Sequence, residues 1–452
     1  MIGAMSTTES NRWVEGPYAP LPGEVVATEL EVIGELPDAL TGRYLRNGPN
    51  PLGGDLSKQH WFTGDAMVHG VRLRDGRADW YRASLVRSTA VSEALGEEPA
   101  AGERHGGFDT ANTNVIGVDG RTFALVEAGA RPVELSYDLE TIEHSDLGGT
   151  LPNGYTAHPK RDPATGDLHA ICYHWALPHL QYVVIGPDAR VKQVEPVEVP
   201  GSPMVHDCSI TESRVVVYDL PVTFSLERAM GGASFPYGWD EDYGARLGVL
   251  PLNGSGADVR WFDIEPCYVF HPVNAFDDGD TIVIDVVRHP KMFASEVLGP
   301  DEGAPMLWRW TVDLVTGTVT ERQLSDHPLE FPRVDERLVG RRHRWAYAAE
   351  LTDAGRRVGY GGRALRIDQR SGDVTPIDLG PGALGGEWVM VPSGADAAED
   401  DGWLLSLVYR PDEDRSELVV LPAQDPSAGP VARVLLPNRV PLGFHGNWIA
   451  DA

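Results

Sequence analysis

The chain has 452 residues and carries 67 acidic against 38 basic side chains, a formal net charge of -29. That balance argues against nucleic acid and anionic membrane surfaces as partners, since both attract basic patches. The 50 Gly and 35 Pro are spread along the whole length, leaving few stretches able to support a long helix, and no apolar run approaches the ~18–20 residues that span a bilayer.

In chain order, "MIGAMSTTESN" at 1–11 is polar, lacks the apolar core of a signal peptide and reads as a disordered lead-in. From residue 12 to 452 there is no linker between halves, so one domain is expected. Three cysteines, Cys172, Cys208 and Cys267, give no framework of paired bridges. A reducing, cytoplasmic setting is the simplest one for them. A turn signature recurs in "RDPATGDLHAICY" from Arg161, "VDLVTGTVTERQL" from Val312 and "IDQRSGDVTPIDL" from Ile367. Each has an Asp, a short link, a small hydroxyl residue and a Gly before a β-prone run, the chemistry of a tight hairpin with a left-handed glycine. Strand candidates include "VVVYDLPV" at 215–222, "TIVIDVVRH" at 281–289 and "WLLSLVYR" at 403–410. Their imperfect alternation fits strands buried on both faces. Repeating four-stranded units of about 40–65 residues indicate an all-β propeller, with the number of blades left open by the periodicity.

Of the 14 histidines, His105, His144, His169, His289, His327 and His343 lie in polar or charged loop-like contexts, where a solvated or hydrogen-bonded ring is the default. Four share another setting: His158 in "YTAHPK", His206 in "PMVHDCSI", His271 in "YVFHPVNAF" and His445 in "LGFHGNW". Their separations are 48, 65 and 174 residues, each near one blade length or three steps of about 58. Equivalent inner strands of a propeller converge on its axis, so four blades could supply one imidazole each. Singly, each is more readily a structural histidine than a ligand. Cys208, two residues after His206, could share its strand face and invites a mixed Cys/His zinc site, but a buried cysteine more commonly acts as a small hydrophobe. "GYGGRA" at 359–364 has the look of a dinucleotide loop, yet the residues after it read as strand and turn rather than helix, so the motif fails its context.

The blocks "GRYLRNGPNP", "HWFTGDAMVHGV", "ANTNVIG", "FALVEAG", "YTAHPKRDPATG", "SPMVHD", "WFDIEPCYVFHPVNAF", "LEFPRVDERLVG", "GGEWVMVP" and "PLGFHGNW" follow one another over nearly the whole chain. In that order they resemble the carotenoid cleavage oxygenases, iron-dependent alkene-cleaving enzymes that include stilbene and phenylpropene cleavers. The resemblance implies a seven-bladed propeller with a loop and helix cap over its top face. It implies Fe(II) on the axis held by His158, His206, His271 and His445, and second-layer carboxylates at Glu127, Glu330 and Glu387. Thr113 matches a residue crowding a remaining coordination position, against the plain alternative of a strand threonine. Phe62 matches an aromatic near the substrate tunnel, against that of a core ring.

The implied reaction is oxidative cleavage of a carbon–carbon double bond by dioxygen into two carbonyl products, with no side-chain nucleophile or general base. Where stilbene cleavers carry a lysine before the first of these glutamates, this chain has Val126, which favours an apolar polyene or apocarotenoid. Against a fully apolar polyene, the segment "SLERAMGGASFPYGWDEDYG" is short and acidic where many relatives carry a long apolar insert, so membrane contact is expected to be weak and peripheral at most. The alternatives are a phenylpropene or stilbene cleaver, a propeller binding module with a structural metal, and an oxygen-independent isomerohydrolase of retinyl esters. Cleavage position and oligomeric state stay open.

Overall fold

The three turn signatures close their hairpins in one way. In each, the glycine has a positive φ (Gly166 76°, Gly317 75°, Gly372 83°), and its N–H donates to the carbonyl of the aspartate four residues earlier, at 2.8–2.9 Å. The aspartate side chain accepts from backbone N–H groups inside the turn: Ala164 for Asp162, Val315 and Thr316 for Asp313, Arg370 for Asp368. Asp and Gly are therefore needed for separate reasons, one as a local acceptor and the other for the left-handed backbone.

A computed structural model describes residues 11–295, 298–300, 302–353 and 358–451. Residues 1–10 of the expected lead-in lie outside them. Asn11 is buried, with its side chain donating to Leu56 O and Gln59 O and accepting from Trp13 N. Seven sheets of four or more strands form the blades of a β-propeller. Their innermost strands, taken in chain order after the first blade, begin at Asn114, Lys160, Cys208, Pro272, Leu329 and Leu384. The expected strands appear at Arg214–Asp219, Thr281–Arg288 and Gly402–Arg410, and the "GYGGRA" stretch lies within the strand Val358–Asp368.

Middle strands are apolar on both faces because each blade is covered by its two neighbours: six consecutive residues of Thr281–Arg288 are buried. The polar exception, Asp285, accepts two hydrogen bonds from Arg309 on the next strand, at 2.7 and 2.8 Å. Outer strands such as Thr318–Gln323 are largely exposed.

Both ends of the chain close the ring. Val32–Gly34 adds to the outer edge of the last blade by pairing with Ala432–Leu435. The last strand, Gly446–Ala450, becomes the innermost strand of the first blade by pairing with residues 42–46. Its entry is pinned from two sides: His445 N–H donates to Thr113 O at 3.1 Å, and His445 O accepts from Asn47 N–H at 2.9 Å. Gly446 is required there, since a Cβ would stand 2.8 Å from Leu45 O.

Candidate metal centre

Each of the four singled-out histidines stands at the entry to an innermost strand: His158 before Lys160–Arg161, His206 before Cys208–Ile210, His271 before Pro272–Asp278, and His445 before Gly446–Ala450. All four are buried, and one ring nitrogen from each falls within a group whose members lie no more than 4.8 Å apart. The Nε2 atoms of His206 and His271 are 3.3 Å apart, and those of His271 and His445 3.1 Å.

The opposite ring nitrogens face carboxylates. His271 Nδ1–H donates to Glu330 Oε2 at 2.5 Å, and His445 Nδ1–H to Glu387 Oε1 at 2.9 Å. His206 Nδ1 lies 2.7 Å from Glu127 Oε2, close but not aligned for a linear hydrogen bond. His158 has instead Asp207 at 3.7 Å, a carboxylate already taken by Lys160 at 2.7 Å. Each glutamate has a further partner: Tyr173 for Glu127, His289 for Glu330, and Arg333 with Gly446 N–H for Glu387. Burial tends to raise both Glu330 and Glu387, but it is outweighed. The imidazoles of His271 and His289 hold Glu330 below the usual carboxylate range, and Arg333 with His445 holds Glu387 at about 2. Burial presses His158 well below its ordinary value and His271 down to about 4. For His206 burial also pulls downward, but the Glu127 carboxylate wins and leaves it raised.

These residues fit a bound divalent metal. A carboxylate only accepts, so the proton of a neutral imidazole facing one sits on Nδ1 and the lone pair on Nε2. The Nε2 lone pairs of His271 and His445 then point at one another across 3.1 Å, an arrangement that a cation between them relieves. His158 Nε2 is buried with no hydrogen-bond partner. Three glutamates and Arg333 leave two negative charges around the ring, the complement of one dication. Neutral imidazole donors suit iron, zinc, copper or nickel.

Two cavities meet the ring. One, of about 430 Å³, reaches His206, His271 and His445 and is walled mainly by aromatic side chains, with Phe62, Thr113 and Val126 among its lining residues. Phe62 is an aromatic hub, edge-on to Phe235, Phe270, Phe293 and Phe444. Trp13 and Trp61 stack at 4.6 Å nearby, and Phe108 and Trp175 are about half exposed where they line the cavity. The other, of about 540 Å³, reaches His158, His271 and His445 and has a mixed wall, with Lys160, Arg161, Asp207 and Arg333 among apolar residues such as Ile116, Val273 and Trp448.

Cys208 takes no place in the cluster of His158, His206, His271 and His445. It is fully buried, its thiol pushed up to about 12 by that burial. Tyr173 and Arg333 are not among the site residues expected from the sequence, and His289 is expected there only as a solvated or hydrogen-bonded ring, which its contact with Glu330 fits. A signal existed for His289, which is followed by proline as are His158 and His271. Arg333 stood inside the quoted "LEFPR" block. Tyr173 carried no local signal.

The family described as retinal pigment epithelial membrane protein matches residues 18–450. A carotenoid cleavage oxygenase of Mycobacterium tuberculosis is 44% identical, covering 99% of each chain. Among solved structures, the lignostilbene dioxygenase of Pseudomonas brassicacearum superposes with a TM-score of 0.88 at 28% identity, over 98% of this chain and 99% of that one. The apocarotenoid oxygenase of Synechocystis superposes with a TM-score of 0.86 at 28% identity, over 96% and 98%. No helix among the described residues is long and apolar enough to cross a membrane.

Proposed function

The chain belongs to the carotenoid cleavage oxygenase family, and from that premise we propose that it is an Fe(II) dioxygenase cleaving a double bond of a carotenoid or apocarotenoid into two carbonyl products. The observation that carries this is the ring of four buried imidazoles opening on one side into an apolar cavity. A purely structural metal needs no such cavity.

His158, His206, His271 and His445 would hold the metal, and Glu127, Glu330 and Glu387 would fix three of those rings and supply the balancing charge. When bound, iron supplies the binding and activation of dioxygen. The rest of the work falls to the chain. The aromatic wall around Phe62 excludes water and holds an extended alkene beside the ring, and Thr113 narrows the space next to His445. Val126 offers a hydroxyl nothing to bond, which supports an apolar chain in this part of the cavity. Among the described residues no side chain in the cavity is placed as a nucleophile. The half-exposed Phe108 and Trp175 favour weak contact with a lipid surface, and three buried free thiols favour a reducing compartment.

The test is aerobic incubation of iron-loaded protein with carotenoids, apocarotenals, stilbenes, phenylpropenes and retinyl esters, followed by mass spectrometry. Paired carbonyl fragments from the polyenes, absent without dioxygen, are expected, together with about one iron per chain. Stoichiometric zinc with activity indifferent to iron refutes the metal. Turnover of retinyl ester without dioxygen refutes the reaction, and a preference for stilbenes refutes the substrate.

A further inference from the structure

His174 lines the apolar cavity but stands outside the ring of four. It follows Tyr173, which is buried and hydrogen-bonded to Glu127, and precedes Trp175, whose ring stacks on Phe224 at 5.2 Å. Its own carbonyl accepts from Leu177 N–H at 2.9 Å. The backbone that presents His174 is therefore held on both sides. The Trp175 ring, 5.6 Å from that of His174, is about half exposed, which sets His174 toward the outer end of the cavity.

The imidazole has a seat made for it. Gly129, with φ 98°, lies under the Cδ2–Nε2 edge, and a Cβ there would stand 2.3 Å from Cδ2. The Gly129 carbonyl accepts from His105 Nδ1–H at 2.7 Å, and the His105 and His174 rings are 5.9 Å apart. Yet the polar atoms of the seated ring are left over. His174 is only half-buried, neither of its nitrogens is among the sealed, unpartnered atoms of the interior, and neither has a hydrogen-bond partner among the described residues. Burial and the neighbouring His105 both hold it below its ordinary value, so near pH 7 the ring is neutral, with one N–H to donate and one lone pair to accept. The wall beside it is largely aromatic, with Phe108, Trp175 and Phe235. Such a wall holds an extended apolar ligand but gives it no direction, and orientation in a pocket of this kind comes from its few polar groups.

We infer that His174 is a specificity-determining residue that hydrogen-bonds an alcohol or aldehyde oxygen at one end of the substrate, so that the cavity favours oxygen-terminated polyenes over hydrocarbons and takes them in one direction. This rests on the cleavage reading for the class of ligand, but the binding step is separable from the reaction. A neutral imidazole serves both end groups, since it donates to an aldehyde carbonyl and either donates to a hydroxyl or accepts from it. An apolar pocket by itself discriminates weakly between similar shapes. With the oxygen held at the outer end and the metal ring at the inner one, the length of chain between them decides which double bond lies beside the ring.

The test measures binding to the metal-loaded protein under argon, without dioxygen, by quenching of tryptophan fluorescence. Three polyenes of one chain length are compared in one detergent: an alcohol, the corresponding aldehyde and the hydrocarbon with a terminal methyl group. Each affinity is corrected for the ligand's partition into the detergent. Wild type is expected to bind the alcohol and the aldehyde about 5–10-fold more tightly than the hydrocarbon, the yield of one net hydrogen bond. His174→Phe, whose ring fills the same seat against Gly129, should bring the three together by weakening the first two and leaving the hydrocarbon's affinity in place. His174→Gln, which keeps a donor and an acceptor, should retain part of the preference. Equal affinities in wild type, or a preference that survives His174→Phe, overturn the assignment and leave His174 a solvated ring at the cavity mouth. If His174→Phe does not fold, the wild-type comparison and His174→Leu decide in its place. Failure of the cleavage reading is seen separately, in the aerobic product analysis.

Discussion

Removing Arg333 tests how much of the ring's closure is electrostatic. Its Nη1 donates to Glu387 Oε2 at 3.0 Å and to Gly446 O at 2.8 Å, and its Nη2 donates to Glu336 and to Asn447 Oδ1. The Glu387 side chain is 3% exposed and that of Arg333 13%. At an effective dielectric near 20, two unit charges at that separation attract by about 5 kcal/mol. Desolvation offsets much of this, so the intact pair contributes far less than that. Breaking it is another matter, because the surviving charge stays buried. Arg333→Met should therefore destabilise the protein by about 3–5 kcal/mol, and Glu387→Gln by a similar amount. The double variant strands no charge and should cost less than the two losses added, with a coupling of about 2 kcal/mol. The assay is urea unfolding of the metal-loaded protein followed by tryptophan fluorescence, with iron content measured on the same samples. Single losses that add to within about 0.5 kcal/mol would refute the reasoning, and the hold on the last strand would then lie in the Gly446 and Asn447 contacts alone.

Val126→Lys places an ammonium in an apolar wall without a partner; kcat/KM for an apocarotenal should fall while wild type prefers that substrate to resveratrol, and unchanged apocarotenal turnover removes position 126 from the substrate path. Burial drives His60 down to about 3, against ~6.5 in an unfolded chain, so the unfolded state protonates first. The stability of the neutral ring is complete above about pH 6.5 and is lost toward pH 3, by up to ~1.4 kcal/mol per unit. His60→Asn keeps an acceptor for Phe62 N–H and should flatten the decline in urea midpoint between pH 6 and 4; identical slopes would show that His60 does not carry it. Cys172, Cys208 and Cys267 are buried, with burial pushing both Cys208 and Cys267 up to about 12, so a thiol reagent at pH 8 should modify none in the native protein and all three in urea. Rapid modification of any one in the native state contradicts the packing.

The four ring histidines were legible mainly through spacing, each lying one or three blade lengths from the next; His158 and His271 also precede Pro and His445 precedes Gly, whereas His206, between Val205 and Asp207, has no such neighbour. The glutamates were read only through family blocks, yet the blade register carries two of them as well. The 174-residue interval from His271 to His445, expected as three steps of about 58, is divided by Glu330 and Glu387 into steps of 59, 57 and 58. Both lie on the innermost segments of the two intervening blades. Glu127 escapes this register because it follows the second strand of its blade, Arg121–Leu125, while the inner position is taken by Thr113, next to Asn114–Val118. Taken around the axis, seven inner segments thus present Thr113, His158, His206, His271, Glu330, Glu387 and His445, one residue each. Seven positions are too many for one metal ion, and the division of labour follows from adjacency. A glutamate on the next inner strand is within reach of a histidine's Nδ1, as Glu330 is for His271, while Glu387 meets His445 from the strand before it. The ring therefore supplies its own counter-charges from the blades that give no imidazole. Sequence periodicity could place those carboxylates on the axis. It could not tell which oxygen meets which nitrogen, because that depends on side-chain direction. For the same reason His289, at the end of the second strand of its blade, was out of reach of a reading built on inner-strand register.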